Sequence, residues 1–173
     1  MLVILLFIFG LSTRFLVHEP NFTPITALAL FGGVYLNKKW AIILPLSLMI
    51  ISDFFVGMHD TIIFTWGSFV LIALIGLWVR NHKNLITIFG SSVASAILFF
   101  VITNFGVWLI GRYPHTSYPH TIEGLSACFT AAIPFFRNTF LSSLLYSAVF
   151  FGSYEFIASR VKKTRFARVL LTT

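Results

Sequence analysis

The sequence predicts an all-α polytopic membrane protein, a six-transmembrane-helix bundle built as one integral membrane domain over residues 1–173. Three observations lead there. The chain is 58% hydrophobic and only 10% charged, whereas a soluble domain is about a quarter charged; so much apolar surface needs lipid rather than a larger core. The stretch from Leu85 to Ile110 carries no formal charge and exceeds the about 20 residues that span a bilayer. The cations, finally, collect in short gaps between apolar runs and at the C-terminus, as beside anionic lipid. That placement also removes nucleic acid as a partner, despite the net charge of +7.

The first span covers residues 2–17. No basic region precedes it, so it reads as an uncleaved membrane helix rather than a signal peptide. Arg14 lies near its end, where a long side chain snorkels to the interface. Pro20 and Pro24 then bend the chain. The second span, 22–37, holds a helix from Pro24 to Leu36, about 20 Å long at 1.5 Å per residue. That is too short for an upright crossing. Residues 21–23 must continue the helix or fold into the bundle as irregular backbone, which is tolerated at membrane depth only where protein or a cavity covers it. A polar recess is expected here.

Lys38 and Lys39 close the hairpin. The third span, 40–57, contains Pro45, a candidate kink, and ends in ISDFFVG with Asp53 in or at the edge of the apolar run. A tight turn leads to the fourth span, 62–79, and then to the basic loop RNHKN. The fifth span, 85–110, offers Ser91, Ala94 and Ser95 for close helix contact. Its amide Asn104 is costly in lipid unless another helix supplies a partner. The polar loop GRYPHTSYPHTIEG follows. Residues 125–133 are apolar but too short to span, which leaves a re-entrant or an interfacial helix open. The sixth span is 134–159, and the basic tail 160–173 suits a surface-lying amphipathic end. With six spans, nine of the twelve Lys and Arg fall on the side of the two termini, so the positive-inside rule places both termini in the cytoplasm.

The polar side chains gather at the opposite, external end. Asp53 and Arg137 are the strongest candidates, because an ionised group in the membrane needs a partner or water. They read either as a ligand-facing pair or as an interhelical salt bridge. Asn21, Asn104 and Asn138 offer donors and acceptors from different helices, for a ligand or for packing. Arg112 and Arg137 suit a carboxylate or phosphate. Trp66, Trp108, Tyr113 and Tyr118 can stack on a ring or form an interfacial belt. His18, His59, His115 and His120, with Asp60 or Glu123, have metal-ligand chemistry but no tight ligand spacing, so no metal is expected. The single Cys128 excludes an intramolecular disulfide. No nucleophile elbow and no Gly-rich phosphate loop are present. No catalytic residue and no cofactor are therefore expected.

The motifs PNFTPITALALFGG, ISDFFVG, FFVITNFGVW and AAIPFFRNTF lie between residues 14 and 152. With them the chain resembles a family of small, uncharacterised bacterial six-helix membrane proteins. That family is distantly similar to the substrate-capture (S) components of energy-coupling-factor vitamin transporters. The resemblance implies residence in the bacterial cytoplasmic (inner) membrane and a vitamin, precursor or metal ion bound at the outer face. It also implies that residues 18–23 help close the pocket, and that the chain docks on a transmembrane coupling protein driven by two ATPases without binding ATP itself. Many such subunits carry a pair of alanines four apart on the first helix; LVILLFIFGLSTRF lacks it. The expected function is capture of a small solute for uptake, with Asn21, Asp53, Asn104, Trp108, Arg112, Arg137 and Asn138 around the pocket. The alternatives are a structural or assembly protein, self-associating through the same residues, and a small intramembrane enzyme.

Overall fold

An 11-residue helix at the centre of the bundle organises the fold. The computed structural model describes residues 2–16, 19–110 and 118–161. In chain order these form α1 (Leu2–Phe15), α2 (Ile25–Tyr35), α3 (Lys38–Val56), α4 (Ile62–Val79), a 3-10 turn (Arg80–His82), α5 (Leu85–Ile110) and α6 (Ile122–Val161). No strand occurs among the described residues. The helices alternate in direction, so the bundle has one end marked by Asp53 and another marked by Arg80. Among the described residues, four helices are long and apolar enough to cross a membrane by length and composition: α3, α4 with its 3-10 turn, α5 and α6. The shorter α1 and α2 span about 21 and 17 Å at 1.5 Å per residue, less than the about 30 Å of a hydrocarbon core. The architecture is that of a multi-pass, all-α membrane bundle.

The central position of α2 follows from its composition. ITALALFGGVY is apolar on every side, and a helix of that kind is buried. All residues from Ile25 to Val34 are buried, against α3, α4, α5 and α6. The tightest approach is to α4. A Cβ on Gly33 would lie 2.4 Å from the Ala73 carbonyl oxygen, and one on Gly76 would lie 2.3 Å from that of Leu30. Only glycine lets these two backbones meet, as in other helix pairs that pack through small residues.

The C-terminus of α2 is held from two sides. Arg80 donates from Nη2 to the carbonyls of Gly33 (2.7 Å) and Leu36, and from Nε to that of Val34 (3.1 Å). A guanidinium thus satisfies carbonyls that the helix leaves free, where the helix dipole favours a cation. From α6, Glu155 accepts the Tyr35 hydroxyl at 2.5 Å and pairs with Lys83 at 2.6 Å. The N-terminus of α2 has no comparable attachment. Its N-cap residue is Pro24, which makes no side-chain capping bond.

One helix takes the form the sequence suggests and another differs from it. The second helix is Ile25–Tyr35 within the expected span 22–37, and residues 19–24 are irregular. Residues 122–133 are neither re-entrant nor a separate interfacial helix; they are the first turns of α6, which runs unbroken through Pro134 to Val161. Packing against α5 keeps them helical. Thr121 caps the Gly124 N–H at 3.2 Å, Cys128 donates to the Asn104 carbonyl at 3.5 Å, and Phe129 and Phe136 pack on Phe100. On α5 the small buried positions are Ser91, Ser92, Ser95, Ala96 and Gly106, while Ala94 is exposed. The tail beyond Val161 lies outside the described residues.

Candidate functional site

The shortness of α2 leaves a void. α2 ends and α3 starts at the same tight turn at the Arg80 end, but α3 continues roughly 10 Å past the first residue of α2. The walls beyond that point belong to α3, α4, α5 and α6, and the floor is Ile25 and Thr26. The result is a cavity of about 570 Å³ that opens at the Asp53 end, past Asn21, Gly57 and His59. Small-molecule sites occupy roughly 300–1,000 Å³.

One wall carries charge. Asp53, 1% exposed, accepts from Arg14 Nη2 at 2.5 Å through one carboxylate oxygen and from Trp66 Nε1 at 2.9 Å through the other. Arg14 also donates from Nε to Ser52 Oγ at 3.2 Å. A buried carboxylate with both oxygens engaged avoids the penalty of an unpaired ion. Arg14 and Asp53 both line the cavity. His59 sits near the mouth and shares a 3.0 Å hydrogen bond with Thr61.

The opposite wall is aromatic. Phe69 and Phe99 have ring centroids 5.2 Å apart, and Phe100 and Phe136 are 4.6 Å apart. Between them, Thr65, Thr103 and Thr139 each donate their hydroxyl to the carbonyl four residues earlier, at 3.3, 2.8 and 3.1 Å. These threonines therefore present methyl groups and oxygen acceptors to the cavity, not donors. Asn104 likewise turns its amide nitrogen back on the Phe100 carbonyl at 2.7 Å. A segment over residues 19–24 passes beside the mouth. Asn21 there adopts a left-handed φ of 62°, and asparagine tolerates that region better than most residues.

Of the residues singled out from the sequence, Asn21, Asp53 and Asn104 line the cavity. Trp108, Arg137 and Asn138 do not. Trp108 donates to the Pro119 carbonyl at 3.0 Å and packs edge-on to His120, so it fastens the α5–α6 connection. Asn138 donates to the Pro20 carbonyl at 2.9 Å and pins the 19–24 segment to α6. Arg137 is exposed, away from Asp53. The Asp53–Arg137 pair expected from sequence is replaced by Asp53–Arg14, because Arg14 ends α1 beside the last turns of α3. Arg112, Tyr113, His18 and His115 lie outside the described residues. The residues that sequence reasoning missed are Arg14, Thr26 and the phenylalanine wall. Arg14 had a signal: the cost of an ion in lipid, which singled out Asp53, applies equally to the one cation of α1. Among the described residues, no three His, Cys, Asp or Glu come together to hold a metal ion.

No curated protein and no solved structure matches the chain significantly. A family described as "Family of unknown function (DUF6580)" matches residues 1–166. The multi-pass helical bundle with its buried central helix and Asp53-end cavity therefore belongs to a member of that family of unknown function.

Proposed function

We propose that the chain is a membrane-embedded binding subunit that captures a small solute for uptake. In this reading all six helices lie in the bacterial inner membrane with both termini in the cytoplasm, and the cavity opens outward. One observation carries it: a cavity of about 570 Å³ combines a charged wall, hydrogen-bonding groups and an aromatic wall within a helical bundle, the usual composition of a ligand site. The likeness to substrate-capture components supports the same reading, with energy supplied by a transmembrane coupling protein and two ATPases, or with the chain acting as a self-associated unit. No chemical step and no cofactor are involved. Asp53, Arg14, Asn104 and Asn21 contact or frame the solute, and Asn138 holds the 19–24 segment beside it.

A structural reading has one observation in its favour, namely that Asp53 is fully satisfied by Arg14 and Trp66. Such a triad stabilises helix packing without any ligand. Mass spectrometry of the gently purified protein separates the two. Capture predicts a stoichiometric small molecule released on denaturation and absent from Ala132→Trp, which fills the cavity. A folded wild type that releases nothing, from several lipid extractions, would sink the capture reading.

A further inference from the structure

Resting on the reading of this cavity as a solute site, we propose that its floor holds the carboxylate of an aromatic monocarboxylic acid. The observation is the N-terminus of α2. The first intrahelical bond is donated by Leu28 to the Pro24 carbonyl at 2.8 Å. The N–H groups of Ile25, Thr26 and Ala27 precede it and have no acceptor among the described residues, and Pro24 contributes no cap. Free N–H groups at a helix start are ordinary when solvent reaches them. Here Ile25 and Thr26 line the cavity and are only 1% and 4% exposed, so their donors face the cavity floor rather than bulk solvent.

A second, independent observation points to a ligand. Thr26 is 4% exposed, lines the cavity, and its hydroxyl has no hydrogen-bond partner among the described residues. It differs in this from Thr65, Thr103 and Thr139, whose hydroxyls are consumed by their own helices. Unspent donors thus converge on the floor of a cavity whose upper walls offer chiefly methyls, rings and acceptors.

Charge selects the ligand class. A helix N-terminus carries roughly half a positive charge and binds anionic oxygens through its N–H groups. The Arg14 and Asp53 charges offset each other, and among the described residues no other acidic side chain lines the cavity. A cation finds no free carboxylate there. A phosphate dianion would remain largely unneutralised, whereas a single negative charge is matched. Phe99, Phe100, Phe135 and Phe136 above the floor suit a flat ring attached to that charge.

The test uses benzoate as probe on the full-length protein in detergent, after extensive washing. Melting temperature and the rate of Cys128 alkylation by N-ethylmaleimide are the two readouts, since Cys128 lines the same cavity. Benzoate is expected to raise the melting temperature and slow alkylation, with benzylammonium, benzamide and phenyl phosphate weaker. Thr26→Val should weaken benzoate about tenfold or more, the loss of a hydrogen bond to a charged group. Without benzoate it should melt no lower than wild type, because the deleted hydroxyl has no protein partner. That combination separates binding from folding. Equal protection by benzamide or benzylammonium, or undiminished benzoate affinity in Thr26→Val, overturns the carboxylate site while leaving solute capture standing. Preference for phenyl phosphate overturns the monocarboxylate assignment. Failure of all four probes overturns the inference, and the retained-molecule measurement then judges capture separately.

Discussion

Gly76→Ala is expected to prevent the bundle from assembling, although the change is one methyl group. The added Cβ would stand 2.3 Å from the Leu30 carbonyl oxygen and 2.8 Å from the Gly33 Cα. Both neighbours are backbone, so no rotamer change relieves the clash and α2 must move away from α4. Overpacking against side chains already costs about 1–3 kcal/mol, and displacing a central helix should exceed that range. Arg80, which follows α4, and its bonds to the end of α2 would be disturbed by the same movement. Gly33→Ala meets the Ala73 carbonyl oxygen at 2.4 Å and should behave alike. Gly90→Ala and Gly152→Ala are the controls. Nothing lies within 4 Å of either added Cβ, and alanine is the better helix former by roughly 1 kcal/mol. Size-exclusion profiles and melting curves in detergent should show loss of the folded species for the first pair and none for the second. A well-folded Gly76→Ala protein would mean that α2 and α4 are not in contact there.

The second large effect concerns Arg14. Replacing it with Met leaves the Asp53 carboxylate buried with Trp66 as its remaining donor. Breaking a buried ion pair from one side costs about 3–5 kcal/mol. Arg14 is partly exposed, with 20% of its side chain accessible, so the lower part of that range applies. Arg14→Met combined with Asp53→Leu should recover most of the melting temperature, since both charges are then gone. A double-mutant cycle measures this directly. If Arg14→Met is as stable as wild type, the Arg14–Asp53 contact does not hold α1 to α3. Arg137→Ala, by contrast, should alter stability little, as an exposed residue away from the buried pair.

The sequence carried the membrane class and the recess plainly, and the side-chain pairing poorly. The long uncharged stretch that became α5 sets the class on its own. The proline-bracketed entry and brief apolar run of α2 signalled irregular backbone beside a cavity, and Asn21, Asp53 and Asn104 do line one. What could not be read was rotation about each helix axis. On α6 the cavity stripe runs through Cys128, Ala132 and Thr139, spaced near whole turns. Arg137 lies two residues before Thr139, about 200° around the helix, and so faces away. Fixing that required knowing that α6 continues through Pro134. Proline favours a helix boundary on local grounds, and tertiary contact with α5 outweighed it. The floor was missed for another reason. Thr26 sits in an apolar run and stands out only when the hydroxyls around it are seen to be satisfied.

A buried helix that stops short leaves a solvent-reachable cavity at one end of the bundle. Cys128, the single cysteine of the chain, reports on it directly, because it is buried against α5 yet lines that cavity. The measurement is modification of Cys128 by the membrane-impermeant reagent 2-sulfonatoethyl methanethiosulfonate in sealed vesicles of both orientations. Modification from one face only, the face opposite the termini, and its loss in Ala132→Trp are expected. Labelling that occurs only after denaturation, or equally from both faces, would contradict a cavity open at the Asp53 end alone.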